Sequence, residues 1–299
     1  MKQKRSSLMH SENLFGWAFI APIMLIFLGL TAFPFFFSLF LSFVEWSFFS
    51  GLEKLKYVGL DNFSELLGNA YFWDSLGNTF IYVITIVPLS IILSLVFADQ
   101  MNDKVYGKKY IRMMYFVPYV SAIVAVGAVF KMLFRTDGII NGFLANLNLI
   151  GKPIAWLADD RYAKIPIILL SIWSSIGYQM ILLTAALQNV PVELYEAARM
   201  DGANGLKQFC HVTVPMISPT IFYLLITRTM AVFKIFSSVN VMTLNMPSSA
   251  SRSIVVLIYE KAFTKYQFGL ASAMSFILFI IILIVTGLNF LGQKKWVHY

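Results

Sequence analysis

Three cations stand inside strongly apolar stretches of this sequence, where a charge is costly: Lys131, Arg228 and Lys234. Arg228 lies about 12 residues beyond Met216, which is roughly 18 Å along a helix at 1.5 Å per residue. At that depth its side chain cannot easily reach a polar surface, so it is expected to face a cavity or a partner. The planar guanidinium fork suits a carboxylate or a phosphate. Lys131 lies near the end of its stretch, where its long side chain can reach the surface, and Lys234 points largely away from the Arg228 face.

No motif of a known catalytic device accompanies these cations. The sequence has no G-x-x-x-x-G-K-[ST] phosphate loop, no H-E-x-x-H pair and no G-x-S-x-G turn. Its three histidines lie far apart, and a single cysteine, Cys210, excludes a disulfide framework and a multi-cysteine metal site. We therefore expect no catalytic residues, no metal and no cofactor in this chain, so that any ATP and Mg²⁺ would be bound by other subunits.

The composition is that of a polytopic membrane protein. Of the 299 residues, 59% are hydrophobic and only 13% are charged, whereas soluble domains carry about 25% charged residues. The net charge of +8 is scattered between apolar segments. This distribution fits anionic lipid headgroups as a partner better than nucleic acid.

Six apolar stretches are long enough to cross a bilayer, which takes about 20 residues of helix. They cover residues 14–44, 77–98, 113–134, 165–188, 216–240 and 269–291. If all six stretches cross the membrane, both tails and the loops after the second and fourth spans lie on one side. Lysine and arginine are denser in these segments than in the other loops, which predicts that this side is cytoplasmic and that both termini lie there. The chain is thereby divided into a tail (1–13), a first span with its outer loop (14–74), a core (75–291) that includes a polar loop (191–219), and a C-terminal tail (292–299).

The polar loop has the signals of two short helices joined by a turn. Pro191 fits the entry to a first helix, with Glu193 and Glu196 near its positive end. Gly202 is placed to end that helix, and a second one can begin near Gly205. Two adjacent alanines leave a surface of this first helix to which another protein can come close. The residues that we expect to carry this contact are Glu193, Glu196, Ala197, Ala198, Asp201 and Gly202.

This loop resembles the EAA loop of bacterial ABC importer permeases. The family pattern is Glu-Ala-Ala, a glycine four residues after the last alanine, and then an apolar residue followed by proline. Here the pattern falls on 196–198, Gly202 and 214–215. The resemblance implies a type I importer permease fold with six transmembrane helices, and a cytoplasmic loop that docks on an ATP-binding subunit. Glu196 could also pair with Arg199 three residues on, and it can do both.

Other segments resemble the permeases for oligosaccharides and glycerol phosphate, among them Ile154-Ala155-Trp156 and Gly177-Tyr178. Similarity to the larger maltose-type permease implies that substrate contacts fall on Tyr115, Tyr119, Ser171, Ser174, Ser175, Arg228 and Val232, with Lys234 as a further pathway residue. An aromatic ring can stack on a sugar while hydroxyls bond its oxygens. The tyrosines could equally be packing residues, the serines could be helix-contact residues, and Arg228 could pair with an acid of a second permease.

The resemblance implies the permease subunit of a solute-binding-protein-dependent, ATP-driven carbohydrate importer in the bacterial inner membrane. Its implied partners are a second permease, two ATP-binding subunits and an external binding protein. Arg228 favours an acidic oligosaccharide such as a uronate; a neutral sugar or glycerol phosphate is the alternative. A stand-alone secondary transporter would need coupling carboxylates within its spans, and spans two to five contain no Asp or Glu. An intramembrane enzyme would need a paired catalytic constellation, which the sequence lacks.

Overall fold

The structure is a computed structural model that describes residues 16–46, 51, 55–102, 107–243 and 247–297. The predicted tail 1–13 lies outside these residues. The described chain is helical apart from one short hairpin. Its elements are α1 Gly16–Leu41, β1 Val44–Glu45, β2 Lys56–Tyr57, α2 Asp61–Leu67, α3 Ala70–Asn102, α4 Lys108–Val120, α5 Ile123–Leu133, α6 Ile139–Asn146, α7 Lys164–Gln188, α8 Val192–Met200, α9 Gly205–Met216, α10 Ser218–Phe233, α11 Ser237–Thr243, α12 Ile254–Tyr259 and α13 Phe268–Gln293.

Four of the described helices, α1, α3, α7 and α13, are long and apolar enough to cross a membrane. Two further pairs reach that length only together: α4 with α5 is bent by 100°, and α9 with α10 by 68°. The described residues thus contain up to six spans if each bent pair counts as one. The predicted helical class is confirmed, and the count of six stays a prediction.

Three predicted spans differ from the helices observed. The fifth, predicted over 216–240, is interrupted: α10 ends at Phe233, and α11 begins at Ser237 after a break. The second begins at Ala70 rather than near residue 77, because the Asn69 side chain accepts a hydrogen bond from the Tyr71 amide at 3.0 Å and starts the helix early. The third is broken: Ser121 adopts an extended backbone, with ψ 148°, between α4 and α5. Pro118 weakens the hydrogen-bond ladder just before this break, because it has no N–H to donate.

Helices α1 and α9 each contain a π-helical turn directly before a proline. The turns are Leu28–Ala32, followed by Pro34, and Phe209–Thr213, followed by Pro215. In both, the residue before the proline donates its N–H five residues back, to Leu28 or to Phe209. A proline cannot donate to the preceding turn, so the ladder widens there instead of breaking.

The contacts divide the chain into two units. Within the described residues, the first unit covers 16–46, 51, 55–68 and 260–277. Its hairpin pairs Val44 with Tyr57, and the buried Asn62 amide of α2 donates to the Ser42 and Val44 carbonyls at 2.9 and 3.1 Å. Most large apolar side chains of α1 are exposed, as expected of a helix surrounded by lipid.

The second unit covers the described residues of 69–259 and 278–299 and is organised around α3 and α7. These two helices pack along each other, and α7 also packs against α4 and α10. Their interface contains a buried polar cluster, in which Gln179 of α7 joins Ser90 and Ser94 of α3 at 3.3 Å each. Hydrogen bonds between helices satisfy polar groups that would be costly to leave unpaired in hydrocarbon.

The loop between α5 and α7 is held by one buried side chain, Asn141 of α6. Its amide nitrogen donates to the carbonyls of Arg135, Thr136 and Ile154, and its oxygen accepts from the Ile154 amide and the Trp156 indole. The segment with the predicted Ile154-Ala155-Trp156 motif is therefore tied to α6 through this residue.

Candidate functional site

The predicted polar loop folds into two short helices around a tight corner. Helix α8 spans Val192–Met200, with Glu193 in its first turn and Arg199 in its last, as the helix dipole favours. It ends in a Schellman motif: the Ala203 amide donates to the Ala198 carbonyl at 2.9 Å, and the Gly202 amide to Arg199 at 3.0 Å. Gly202 has φ +76°, a conformation that residues with a Cβ rarely adopt. The predicted helix stop is confirmed.

The corner after Gly202 is held by side chains that the sequence does not single out. Asn204 accepts from the Lys207 amide at 2.9 Å and so starts α9, close to the predicted Gly205. Gln208 donates back to the Ala203 carbonyl at 2.8 Å. Further along α9, Thr213 bonds the Tyr195 hydroxyl of α8 at 3.0 Å. These bonds fix α8 against α9.

Helix α8 and the start of α9 present large apolar side chains to the exterior. Met200 is 89% exposed, Leu206 73% and Val192 64%, and Ala197 and Glu196 are exposed beside them. Within the described structure Glu196 forms no ion pair with Arg199, so its carboxylate remains open to a partner. Large apolar side chains that are exposed together in this way are typical of a surface that contacts another protein.

A cavity of about 190 Å³ lies where α7, α10 and α11 meet. It brings together four of the predicted substrate residues, Ser171, Ser174, Arg228 and Val232. The rest of its lining comes from Ala231, Ile235, Phe236, Ser237 and Ser238. None of these five was predicted, although the Ser237-Ser238 pair interrupts an apolar run close to Arg228 and could have pointed to the last two.

Arg228 is the charged group of this cavity. Its Nη2 donates to the backbone carbonyl of Ser171 at 2.7 Å, which ties α10 to α7. The Ser174 hydroxyl donates to the same carbonyl at 3.2 Å. Arg228 Nε and Ser171 Oγ are buried without a hydrogen-bond partner among the described residues. A cavity with a cation and two unsatisfied polar atoms is equipped to hold a polar, anionic group.

The other predicted pathway residues do not line this cavity. Tyr115 packs on Phe97 with ring centres 4.9 Å apart, and Tyr119 stacks on Tyr178, also at 4.9 Å. The Ser175 hydroxyl donates to the Ile172 carbonyl within its own helix at 2.8 Å. Lys234 is exposed at the C-terminal end of α10.

The backbone of α4 approaches α7 closely at Gly177. A Cβ on this residue would collide with the carbonyl of Tyr115 and lie within 2.8 Å of Phe116 Cα. The glycine thus allows two backbones to touch, as small residues do between membrane helices. It brings Tyr119 against its neighbour, Tyr178.

Comparison with known proteins identifies the family. The model of the family "Binding-protein-dependent transport system inner membrane component" matches residues 90–296, which include the cavity and the loop of α8 and α9. The chain belongs to this family. Its relatives include the "Probable ABC transporter permease protein YesP" of Bacillus subtilis (strain 168), with 34% identity over 100% of this chain and 96% of the relative. The "Lactose transport system permease protein LacF" of Rhizobium radiobacter is 32% identical over 97% of this chain and 98% of its own length.

A solved structure has the same fold as this permease. It is that of a bacterial ABC transporter involved in the import of the acidic polysaccharide alginate. The match has a TM-score of 0.79 at 21% identity and covers 97% of this chain and 99% of the other. The permease is thus a helical inner-membrane component of a sugar ABC transport system, and its fold agrees with the importer type that the EAA resemblance implies.

Proposed function

We propose that this permease is the translocation subunit of an ATP-driven, solute-binding-protein-dependent importer for an oligosaccharide. The observation that carries the proposal is the exposed, internally braced α8–α9 corner on a chain of the binding-protein-dependent family. Such a corner is suited to receive force, and this sequence has no phosphate loop with which to generate it. The motor would then be a pair of separate ATP-binding subunits that hold the ATP and Mg²⁺.

In this account both termini and the α8–α9 corner lie in the cytoplasm. A second permease completes the translocation path, and an external binding protein delivers the sugar. Closure of the ATP-binding pair moves α8, and α9 passes the movement to α10 and the cavity. The chain alternates between inward-facing and outward-facing states, and ATP hydrolysis resets it.

The proposed substrate is acidic, of the uronate kind. Arg228 presents a desolvated cation to the cavity, and serine hydroxyls lie around it. The hydroxyls of a neutral sugar can also accept hydrogen bonds from a guanidinium, but a carboxylate pairs with it more strongly, through two charge-assisted bonds. The alginate importer that shares this fold acts on an acidic polysaccharide, which supports the same choice. A neutral sugar is the second candidate, because a relative is named a lactose permease.

The test is the ATPase activity of the complete importer, reconstituted in lipid with its binding protein. Uronate trisaccharides of the alginate and pectin types are compared with neutral trisaccharides. We expect acidic sugars to stimulate hydrolysis several-fold above the basal rate. Stimulation by neutral sugars alone would reject the acidic substrate, and the absence of any associated ATP-binding subunit would reject the importer.

A further inference from the structure

The Arg228 guanidinium uses only one of two neighbouring N–H donors, Nη2 but not Nε. The Nε and Nη2 groups of an arginine point the same way and together form a fork for two oxygen atoms. Here Nη2 donates to the Ser171 carbonyl, while Nε has no partner among the described residues. A single carbonyl oxygen satisfies one arm of the fork and leaves the other buried and empty.

A second arginine of the same chain has the complete arrangement. Arg135 donates from Nε to Asp137 Oδ1 at 2.9 Å and from Nη2 to Oδ2 at 3.0 Å. The carboxylate of Asp137 therefore occupies both donors of Arg135, whereas the Ser171 carbonyl occupies only one donor of Arg228. A planar acceptor with two oxygens would fill both arms of Arg228 in the same way.

We propose that the Ser171 carbonyl occupies the position on Arg228 that a carboxylate of the substrate takes during transport. Arg228 then exchanges its hydrogen bond to the carbonyl for hydrogen bonds to the carboxylate. In the observed arrangement, the hydrogen bond from Arg228 to the Ser171 carbonyl links α10 to α7, and we call this bond the clasp. When a uronate carboxylate enters the cavity, Nη2 leaves the carbonyl, and both arms bind the two carboxylate oxygens. The Ser171 hydroxyl, which is also without a partner, is then free to donate to the same carboxylate.

The helix can release this carbonyl without leaving it unsatisfied. The Ser174 hydroxyl already donates to it at 3.2 Å, so the acceptor keeps a partner after Arg228 turns away. The Nε atom is shielded in the clasped form, so a carboxylate reaches it only when the clasp opens. Binding of the substrate carboxylate and loss of the Arg228–Ser171 bond between α10 and α7 thus occur together.

This exchange rests on the proposed function and deepens it, because it specifies that the permease recognises the carboxylate of the substrate. A methyl ester is larger by one methyl group and carries no charge, so it cannot accept strongly from both arms. The importer should therefore distinguish a uronate from its methyl ester at Arg228. Ser171 and Arg228 are the specificity-determining pair in this proposal.

The experiment uses the complete importer in lipid, with one unchanged binding protein. ATPase stimulation is measured with uronate trisaccharides of the alginate and pectin types, with their methyl esters, and with neutral trisaccharides. The variants are Arg228→Lys, which keeps the charge but loses the fork, and Arg228→Met, which loses both. Lys131→Met is the matched control, since Lys131 lines a different cavity, between α5 and the loop before α7. The preference of the binding protein itself cancels when the acid-to-ester ratio is compared between variants.

We expect the ratio to fall roughly tenfold in Arg228→Lys, as for the loss of one charge-assisted hydrogen bond, and to stay unchanged in Lys131→Met. A full ratio in Arg228→Lys would overturn the exchange. So would a complex that does not assemble with either Arg228 variant, because Arg228 would then hold a structural partner. Equal stimulation by acid, ester and neutral sugar would also refute the exchange and leave the importer intact; no stimulation by any sugar would count against the proposed function itself.

Discussion

At the scale of single residues, Gly202 fixes the shape of the α8–α9 corner, which we propose couples the chain to an ATP-binding subunit. An alanine here would have to adopt a left-handed conformation, which costs roughly 1–2 kcal/mol. We expect Gly202→Ala to loosen the end of α8 and to lower transport per ATP hydrolysed, while the membrane helices stay folded. The measurement is the ratio of sugar imported to phosphate released in proteoliposomes.

Gly205→Ala is the control for this change. Gly205 lies three residues away, its φ is not positive, and a Cβ there would meet open space. Alanine also favours the helix that starts there. Equal coupling in the two variants would show that the Schellman corner does not transmit force.

Gly177 is the second glycine with a defined role. Gly177→Ala would drive a methyl group into the Tyr115 carbonyl, and overpacking of this kind costs typically 1–3 kcal/mol. We expect a lower temperature of unfolding for the purified complex and a displaced α4. Gly287→Ala in α13 is the matched change, because a Cβ there has no neighbour within 4 Å. Comparable melting of both variants would contradict the close approach of α4 and α7.

The residues around the Arg228 cavity show what could not be predicted from the sequence. Arg228 can be singled out from its depth in an apolar stretch, but its hydrogen bond to the Ser171 carbonyl cannot, since residue types do not encode backbone acceptors. Tyr115 and Tyr119 follow the family pattern, yet here their rings pack on Phe97 and Tyr178. Whether they contact substrate in another state of the transport cycle stays a prediction.

At the scale of elements, the loop before α7 depends on one hub. Asn141→Ala would remove five hydrogen bonds and leave the Ile154 amide and the Trp156 indole without their partner. Each buried group left unpaired costs about 1–3 kcal/mol. We expect this loop to open locally, with faster hydrogen exchange at Ile154 and faster proteolysis of residues 147–163.

Asn189→Ala is the comparison for the loop. Asn189 is exposed, and its amide makes one bond within its own turn, to the Ala185 carbonyl at 3.1 Å. Its removal should leave the exchange rate of the loop unchanged. If Asn141→Ala also leaves it unchanged, the loop is held by something other than this side chain.

Some elements follow from local signals and others do not. Helices α8 and α9 were predictable because Pro191, Gly202 and Gly205 mark their ends within a polar segment. The break between α4 and α5 was not, since the apolar stretch runs on through it. It is stabilised by distant contacts: α4 meets Gly177, and Gly127 of α5 lies against Val241. The early start of α3 at Asn69 had a capping signal that could have been recognised.

At the scale of the whole molecule, the proposed function requires that another subunit applies force to this chain. The α8–α9 corner carries exposed apolar side chains and a free carboxylate, and α9 leads through Pro215 into α10, which holds Arg228. One continuous route therefore joins the proposed docking surface to the cavity. Its first step, contact with an ATP-binding subunit, is the central claim.

Disulfide cross-linking tests this contact most directly. A cysteine at Ala197 is introduced in a Cys210→Ser background, because Cys210 is exposed in the same corner. It is paired with single cysteines across the surface of the co-expressed ATP-binding subunit, and Leu147→Cys, in the loop after α6, is the control. We predict that Ala197→Cys forms a cross-link whose yield changes with ATP, and that Leu147→Cys forms none. Labelling of Ala197→Cys from outside intact cells, or the absence of any cross-link to the ATP-binding subunit, would contradict the account.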